Sequence, residues 1–405
     1  MGMEHDIYRM VVCHLMTSYR HARKHKSNTP SCIRFSMELE DEMDELARTI
    51  IGQTYEMRRS VRFAVEQPVL REVIAADFRD RVPHHFVFDY VNPHLEQELI
   101  DDCYSCRVGK GTSYGIDRLE HHIRSCSQNY TRPCWVLQLD ISGYFMSIDR
   151  HRLLAKAEAL MDRIGKKCDE DGRQLGLQPR HRLVAYLLRL IILYDPLERC
   201  EVHDRKHLLK LLPPSKTLAC SPDGVGMPIG NLTSQMLSNL YLNEFCQWVK
   251  RVLRVKHFGD YVDDSYYVGC SAEWLLSLVP QVDNYLKGEG LHLNLAKTKL
   301  TNVWQGVSFL GIHLKPYRRY VKNRTLVRMR RQVEDMRRVT PWELEQPGTK
   351  HHLLSSANSF LGVLGKTASY HLRVQLFPNY PMFNIAYGNK AMKKFKIRDC
   401  PVASA

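Results

Sequence analysis

Apolar residues along the chain fall into two patterns, short β-prone runs and longer stretches with helical spacing. The runs at 135–139, 255–258 and 266–268 are rich in β-branched and aromatic residues, which favours strands. Only a short polar interval separates the last two runs, so they predict a β-hairpin. Residues 38–51 have the spacing of an amphipathic helix, and residues 181–194 form a further helical stretch. Strands in the middle of the chain with helices around them predict an α+β fold.

Acidic residues occupy the ends of these predicted strands. Asp263 and Asp264 lie at the tip of the predicted hairpin, and Asp140 ends the first strand-like run. Carboxylates brought close together repel one another unless a cation compensates their charge. Pairs of divalent cations do so in enzymes that transfer phosphoryl groups by in-line displacement. The pattern therefore predicts a two-metal site, whereas the pair Asp101-Asp102 follows a helical, solvated stretch and predicts ordinary surface acids.

Basic residues exceed acidic ones, 58 to 44, in the 405-residue chain, which gives a net charge of +14. The excess is concentrated at 19–26 and at 317–338, where the basic residues lie on an otherwise helical pattern. Either run alone is consistent with a solvated protein surface. Two basic runs on either side of a carboxylate site favour a polyanionic partner, and nucleic acid is the expected one.

No apolar run approaches the length that crosses a bilayer, and the first residues have no signal-peptide core. We therefore expect a cytoplasmic protein with no membrane partner. Its 12 cysteines are then expected to be reduced thiols. Cys103 and Cys106 form a Cys-x-x-Cys pair, but the histidines and cysteine that follow lack the spacing of a zinc site. Zinc at this pair is not expected.

The motifs around the carboxylates resemble those of reverse transcriptases. The matching segments are LDISGYF at 139–145, YVDD at 261–264, LNLAKT at 293–298 and FLG at 309–311, with Arg71 preceding RDR at 79–81. They run in chain order from about residue 65 to 314. The resemblance implies a right-hand polymerase with fingers, palm and thumb, in which an antiparallel-sheet palm carries the carboxylates.

The same resemblance implies a division of the chain into four parts. Residues 1–60 would be an N-terminal helical extension and residues 61–134 the fingers. Residues 135–314 would be the palm, with a helical insertion between fingers and palm at about 150–222. Residues 315–405 would be a helical, basic thumb and a C-terminal tail.

The resemblance also implies roles for the residues nearest the carboxylates. Asp140 and Asp263 would bridge two Mg²⁺ ions, for which Mn²⁺ can substitute, and Asp264 would be a supporting ligand. The backbone carbonyl of Ile141 would complete one coordination sphere. Lys297 would lie near the departing pyrophosphate and, with a lowered pKa, donate a proton to it. The alternatives are solvent-facing turn acids and a structural lysine.

Three further residues have both a functional and a structural interpretation. Arg71 resembles the arginine of the fingers that holds the incoming triphosphate, and the alternative is a surface arginine. Phe145 would lie under the sugar and exclude a 2′-hydroxyl by clash, and the alternative is a core aromatic. Asp149 is either a further site acid or the N-cap of a helix that begins near Arg150.

A subfamily is indicated by GMPIGNLTSQ at 226–235, in which Ile229 replaces the glutamine and Gln235 the proline of most reverse transcriptases. This form resembles the reverse transcriptases of diversity-generating retroelements, which copy a template RNA with frequent errors opposite adenines. RVGKGT at 107–112 and PPSKTL at 213–218 fit the same subfamily. Ile229 and Gly230 would lie at the nascent base pair with Gln235. A lysine common before Arg71 in that subfamily is absent after Pro68.

These observations predict an RNA-templated DNA polymerase, error-prone at template adenines, that makes mutagenised cDNA from a retroelement RNA. Its partners would be template RNA, primer and dNTPs. The resemblance adds a small basic accessory protein and structured RNA. Two alternatives are open: a retron-like or antiviral-defence reverse transcriptase, and a nucleic-acid-binding scaffold that has lost polymerisation.

Overall fold

The computed structural model describes residues 2–66, 69–203, 206–377 and 386–397. Pro68, which precedes the position of the missing lysine, lies outside the described residues, as do residues 378–385 and 398–405 of the predicted tail. In the described part of the chain, no helix has both the length and the apolar character needed to cross a membrane.

Helices account for most of the regular structure. They are α1 (Gly2–Arg23), α2 (Pro30–Met37), α3 (Leu39–Ile51), α4 (Phe78–Glu98), α5 (Thr112–Cys126), α6 (Tyr144–Ser147), α7 (Arg150–Gly165), α8 (Pro179–Leu193), α9 (Lys206–Leu209), α10 (Leu232–Arg251), α11 (Ala272–Gly288), α12 (Asn323–Arg337), α13 (Pro341–Glu345), α14 (Thr349–Leu364) and α15 (Tyr370–Leu376). Short 3₁₀ turns lie at Leu175–Leu177, Pro214–Lys216, Leu218–Cys220 and Leu295–Lys297.

The strands are short and form small sheets. They are β1 (Ser60–Val65), β2 (Arg71–Ala75), β3 (Trp135–Asp140), β4 (Cys200–Val202), β5 (His257–Tyr261), β6 (Asp264–Gly269), β7 (Lys299–Asn302), β8 (Val307–Phe309), β9 (Ile312–Lys315), β10 (Arg318–Val321), β11 (Ala386–Gly388) and β12 (Phe395–Ile397). The strand orders are β5-β6-β3-β7, β2-β1-β4, β10-β9-β8 and β11-β12. The α+β fold predicted from the sequence is confirmed.

Pairing within the smaller sheets is mainly antiparallel. β1 pairs with β2 antiparallel, with Phe63 opposite Val73, and with β4 parallel, with Val61 opposite Glu201. β9 pairs antiparallel with both β8 and β10. The FLG segment ends β8 with Phe309 and continues into the loop to β9, where Leu310 and Gly311 have φ values of 45° and 86°. Two positive φ values in a two-residue loop are typical of a tight hairpin turn.

The chain separates into two compact units. The first contains residues 1–114, 138–267 and 276–298, and the second contains residues 115–137, 268–275 and 299–405. In the first unit, fully buried Leu15 of α1 and Phe86 of α4 belong to the core. The core of the second unit includes Val333 of α12 and Leu361 of α14.

Helix boundaries follow local signals in several places. The acidic residues in the first turn of α3 are stabilised by the positive end of the helix dipole. This helix agrees with the amphipathic helix predicted at residues 38–51. Asp149 is the N-cap of α7, because its side chain accepts hydrogen bonds from the backbone N–H groups of His151 and Arg152 at 2.8 and 3.0 Å. The capping interpretation of Asp149 is therefore confirmed.

Two predictions from local pattern were wrong. The basic run at 317–338 is not helical throughout, because β10 precedes α12. Asp102 is not a solvated acid: it is 5% exposed, accepts a hydrogen bond from the hydroxyl of Tyr104 at 3.0 Å and pairs with Lys250 at 3.2 Å. Asp101, its neighbour, is exposed as predicted.

Candidate active site

The predicted hairpin is formed by β5 and β6, which are joined by Val262 and Asp263. Asp264 is the first residue of β6. Val262 has a φ of 63°, a left-handed conformation that is unfavourable for a β-branched residue. A positive φ at the first position of a two-residue loop is characteristic of tight hairpins whose twist matches that of their strands. This strained turn holds Asp263 at the tip of the hairpin.

The end of β3 is bonded to the hairpin tip through the backbone. The N–H of Ile141 donates to the carbonyl oxygen of Asp263 at 3.0 Å. The carbonyl of Asp140 accepts a hydrogen bond from the N–H of Asn294 at 2.8 Å. Two segments far apart in sequence thus bring Asp140 beside Asp263, as the sequence predicts, and the segment before Lys297 joins them.

The electrostatic environment of Asp263 includes the charges of its neighbours. Burial raises the pKa of Asp263, and the negative charge of Asp140 raises it further, while Arg71 and Lys297 act in the opposite direction. Arg71 is an exposed residue at the start of β2. Its influence on the pKa of Asp263 puts its guanidinium among the charges of this site.

Lys297 is the closest cation to the carboxylates. Its Nζ donates to both carboxylate oxygens of Asp140 at 2.9 Å. Partial burial disfavours the charged ammonium, but hydrogen bonding to Asp140 and the negative charges of Asp263 and Asp264 outweigh that effect and raise the pKa of Lys297. The lowered pKa that would assist proton donation is therefore absent in this arrangement.

The donor set fits a hard divalent cation. Carboxylate oxygens are the ligands that such ions prefer, and the Lys297 ammonium already marks a position where a positive charge is stabilised by Asp140. Asp140 is 9% exposed, Asp263 is half-buried and Asp264 is exposed. The three carboxylates are less tightly gathered than those around a bound ion, since their oxygens are not all within 4.8 Å of one another.

A small apolar wall brings together the residues predicted to contact the sugar and base. Phe145 and Ile229 are half-buried and pack against the buried cluster of Ile74, Met146 and Leu218. The carbonyl of Ile229 accepts a hydrogen bond from the N–H of Ile74 in β2 at 2.8 Å. Phe145 is thus partly in a core contact and partly accessible.

Gly230 is required by the close approach of β2. Its φ is 136°, and a Cβ at this position would lie 2.9 Å from Cγ1 of Val73 and 3.1 Å from the carbonyl oxygen of Ile74. Any larger residue would push β2, which begins at Arg71, away from this segment. The glycine therefore helps to set the position of the predicted triphosphate arginine.

A buried carboxylate that the sequence did not single out also fixes β2. Glu72, 1% exposed, accepts hydrogen bonds from Arg62 Nε at 2.7 Å, from the hydroxyl of Thr217 at 2.8 Å and from the N–H of Leu218 at 2.6 Å. These bonds attach the PPSKTL segment to the strand that carries Arg71. The sequence contained a signal for the different environment of Glu72, since side chains alternate between the two faces of a strand and Glu72 therefore lies on the face opposite Arg71.

Arg79 and Arg81, which follow Arg71 in the sequence, donate hydrogen bonds to other groups of the protein. Arg79 is 3% exposed and donates to Glu42 and Glu45 at 2.8 Å each, so its charge is used inside the protein. Arg81 is half-buried and donates to the carbonyl of Ala76 at 3.1 Å. Arg71 was the residue predicted to hold the triphosphate, and Arg79 forms ion pairs within the protein.

Gln235 lies in the first turn of α10 and is exposed. It lines a cavity of about 350 Å³ together with Gly230, Lys24 and Arg81.

Cys103 is buried, with Sγ 3.9 Å from Oδ1 of Asn239, and Cys106 is exposed. Burial raises the pKa of the Cys103 thiol.

Comparison with protein families matches residues 193–314 to the family described as reverse transcriptase (RNA-dependent DNA polymerase). This stretch is therefore similar to reverse transcriptase domains. The matched range contains the hairpin with Asp263 and Asp264, the turn with Lys297 and the FLG hairpin, while Asp140 and Arg71 lie before it. Comparison with curated protein sequences finds no match.

Similar solved structures include two telomerases. Apo telomerase from Candida tropicalis, truncated at its C-terminal domain, is 9% identical with a TM-score of 0.46, over 66% of this chain and 55% of that one. Telomerase from Candida albicans, in complex with a fragment of telomeric RNA, is 11% identical with a TM-score of 0.45, over 79% and 55%. The chain thus spans about half the length of the telomerase chains that it matches.

Proposed function

We propose that the protein is an RNA-templated DNA polymerase whose catalytic carboxylates are Asp140, Asp263 and Asp264. The observation that carries this proposal is the backbone hydrogen bond between Ile141 and Asp263, which joins the two acid-bearing segments. Divalent cations held there, Mg²⁺ or Mn²⁺ in our proposal, would neutralise charge on the attacking and leaving oxygens. The match of residues 193–314 to reverse transcriptases supports the same activity.

The chain's own residues would orient the nucleotide around these carboxylates. Arg71 is a permanently charged fork suited to the oxygens of the triphosphate. Lys297, which is bonded to Asp140, would pair with the pyrophosphate if a cation took its place at that carboxylate. Phe145, which packs against the same buried cluster as Ile229, would exclude a 2′-hydroxyl by clash. Rejection by shape needs only a few kcal/mol.

The finer part of the proposal is that this enzyme belongs to a diversity-generating retroelement and errs at template adenines. Its support is Ile229, an apolar residue in the segment bonded to β2, because a pocket without a polar group discriminates between bases only modestly. Template RNA, a primer and dNTPs are the proposed substrates. A small basic accessory protein, structured RNA and a cytoplasmic location complete the proposal.

Primer extension on an RNA template with dNTPs and Mg²⁺ tests the activity. Asp263→Ala should reduce extension to the level of a reaction without enzyme, while template–primer affinity stays near that of the wild type, because a metal ligand is removed and no phosphate contact is lost. Asp171→Ala, which changes an exposed acid elsewhere in the first unit, is the matched control.

Two outcomes would overturn the proposal in different ways. Extension by Asp263→Ala at the wild-type rate would mean that the site is assigned wrongly. A wild-type protein that binds template–primer tightly but extends it with neither Mg²⁺ nor Mn²⁺ would instead support the alternative of a nucleic-acid-binding scaffold.

A further inference from the structure

A second group of ligand-type side chains lies where α1 packs against α4. His85 and Asp89 are four residues apart on α4, so they share one face of the helix. His21 near the end of α1 has its Nδ1 2.9 Å from Oδ2 of Asp89, and its ring centroid is 6.2 Å from that of His85. One ligand atom from each of the three residues lies within 4.8 Å of the other two.

The two helices hold these side chains on a packed framework. The His14 ring of α1 meets the Phe86 ring of α4 edge-on, with centroids 6.3 Å apart. The hydroxyl of Ser18 donates to Oδ2 of Asp89 at 3.5 Å. His14, Ser18 and His21 are spaced so that they lie along one face of α1. The backbones that carry the three ligands are therefore fixed by the core of the first unit.

The chemistry of the group suits a borderline metal ion. Two imidazoles and one carboxylate are the ligands of Zn²⁺ and of Co²⁺ or Ni²⁺, whereas Mg²⁺ and Ca²⁺ prefer oxygen ligands throughout. Ligand atoms around tetrahedral zinc are about 3.4 Å apart, given bond lengths near 2.1 Å. The ligand atoms of the present group lie within 4.8 Å of one another, somewhat wider than that spacing. Burial also lowers the pKa of His85, which favours the neutral imidazole that binds metals.

We propose that His21, His85 and Asp89 bind a zinc-class divalent cation that ties α1 to α4. His21 and His85 also line the cavity that contains Lys24 and Arg81. These positive charges lower the affinity for a bare cation and favour an anion or hydroxide as the fourth ligand. An ion pair alone accounts for the contact between His21 and Asp89 but gives no role to His85.

Metal titration of the EDTA-treated full-length protein tests this proposal without any polymerase assay. Co²⁺ and Zn²⁺ are added in the presence of excess Mg²⁺, which competes for the catalytic carboxylates. The visible spectrum of Co²⁺ reports the ligand type, because thiolates add a strong charge-transfer band that nitrogen and oxygen ligands lack. This band would reveal binding at the neighbouring thiols of Cys126 and Cys270, which are 3.5 Å apart.

The expected result is one ion per chain in the wild type, without a thiolate band, and an unfolding temperature that rises with zinc. His85→Ala and Asp89→Ala should each weaken binding by at least about 100-fold and abolish the rise. His21→Ala changes an exposed side chain and covers the case in which the other variants fold poorly. His5→Ala, on the same helix and exposed, should bind as the wild type does.

Three results would overturn the proposal. Undiminished binding by His21→Ala and His85→Ala would show that the ion lies elsewhere, and a thiolate band would assign it to the cysteines. A wild type that binds no Zn²⁺ or Co²⁺ at concentrations that saturate ordinary zinc proteins would leave only the His21–Asp89 ion pair. The proposed polymerase activity would be unaffected in each case.

Discussion

Removing the charge of Lys297 should strengthen divalent-cation binding at the catalytic carboxylates. The ammonium of Lys297 lies 2.9 Å from both carboxylate oxygens of Asp140. A metal ion that binds Asp140 therefore has to displace this group or share the carboxylate with it. Lys297→Met keeps the length of the side chain and removes the competing charge.

The magnitude follows from the distance and the exposure of the pair. Two unit charges at about 4 Å interact by about 1 kcal/mol in water and about 4 kcal/mol at the dielectric constant of a protein surface. The Lys297 side chain is 63% exposed while that of Asp140 is 12% exposed, so the lower part of this range applies. A free-energy difference of about 1.4 kcal/mol corresponds to a tenfold change in a dissociation constant. We expect the dissociation constant for Mn²⁺ to fall by about tenfold in Lys297→Met.

Free Mn²⁺ measured by electron paramagnetic resonance, without nucleotide, gives this constant directly. Because the pKa of Lys297 is raised, the ammonium persists at neutral pH and the effect should be constant there. Lys299→Met, at an exposed lysine nearby in sequence, should leave the affinity unchanged. The variant should bind metal better and yet polymerise more slowly, since the leaving pyrophosphate loses a cation. Equal or weaker Mn²⁺ binding by Lys297→Met would refute the competition argument.

Three further predictions concern the nucleotide pocket. Phe145→Val should admit ribonucleotides, because a clash is removed, and competition between rNTP and dNTP in single-nucleotide extension measures it; unchanged selectivity would assign the ring to the core. Ile229→Gln should lower misincorporation opposite adenine by several-fold, equivalent to about 1 kcal/mol, as read by sequencing cDNA made by both proteins from one RNA. A low wild-type error rate at adenines would defeat the subfamily proposal. Glu72→Gln should destabilise the protein by about 1–3 kcal/mol in thermal unfolding. It should also raise the KM for dNTP more than it lowers kcat, because the strand that carries Arg71 loses its support. A KM equal to that of the wild type would contradict this role of Glu72.

The sequence predicted those parts of the site that depend on local pattern. The hairpin with Asp263 was predictable because two β-prone runs flank a short polar interval. Asp149 was recognisable as a cap because capping involves only neighbouring residues. The pairing of Asp140 with the hairpin required a long-range contact, and it was inferred from the repulsion between carboxylates and from the resemblance to reverse transcriptases.

The errors arose where a distant partner changed the environment of a charged residue. Asp102 seemed solvated because its flanking sequence is helical and polar, but Lys250 provides a partner across 148 positions. Arg79 had no partner assignable from the sequence, but Glu42 and Glu45 accept its hydrogen bonds. The raised pKa of Lys297 likewise depends on Asp140. Local sequence indicates that such residues carry charge but not which opposite charge they meet.

The strained turn at Val262 has a consequence for how this protein can evolve. A left-handed conformation costs an L-amino acid about 1–2 kcal/mol, and glycine would relieve it. Selection for heat resistance alone would therefore favour glycine at position 262. The same replacement would give the backbone beside Asp263 more conformations and spread the carboxylate over more positions. Under the proposed function, stability gained at this residue is lost as catalytic rate, so thermostable relatives of the protein should find their added stability elsewhere in the fold.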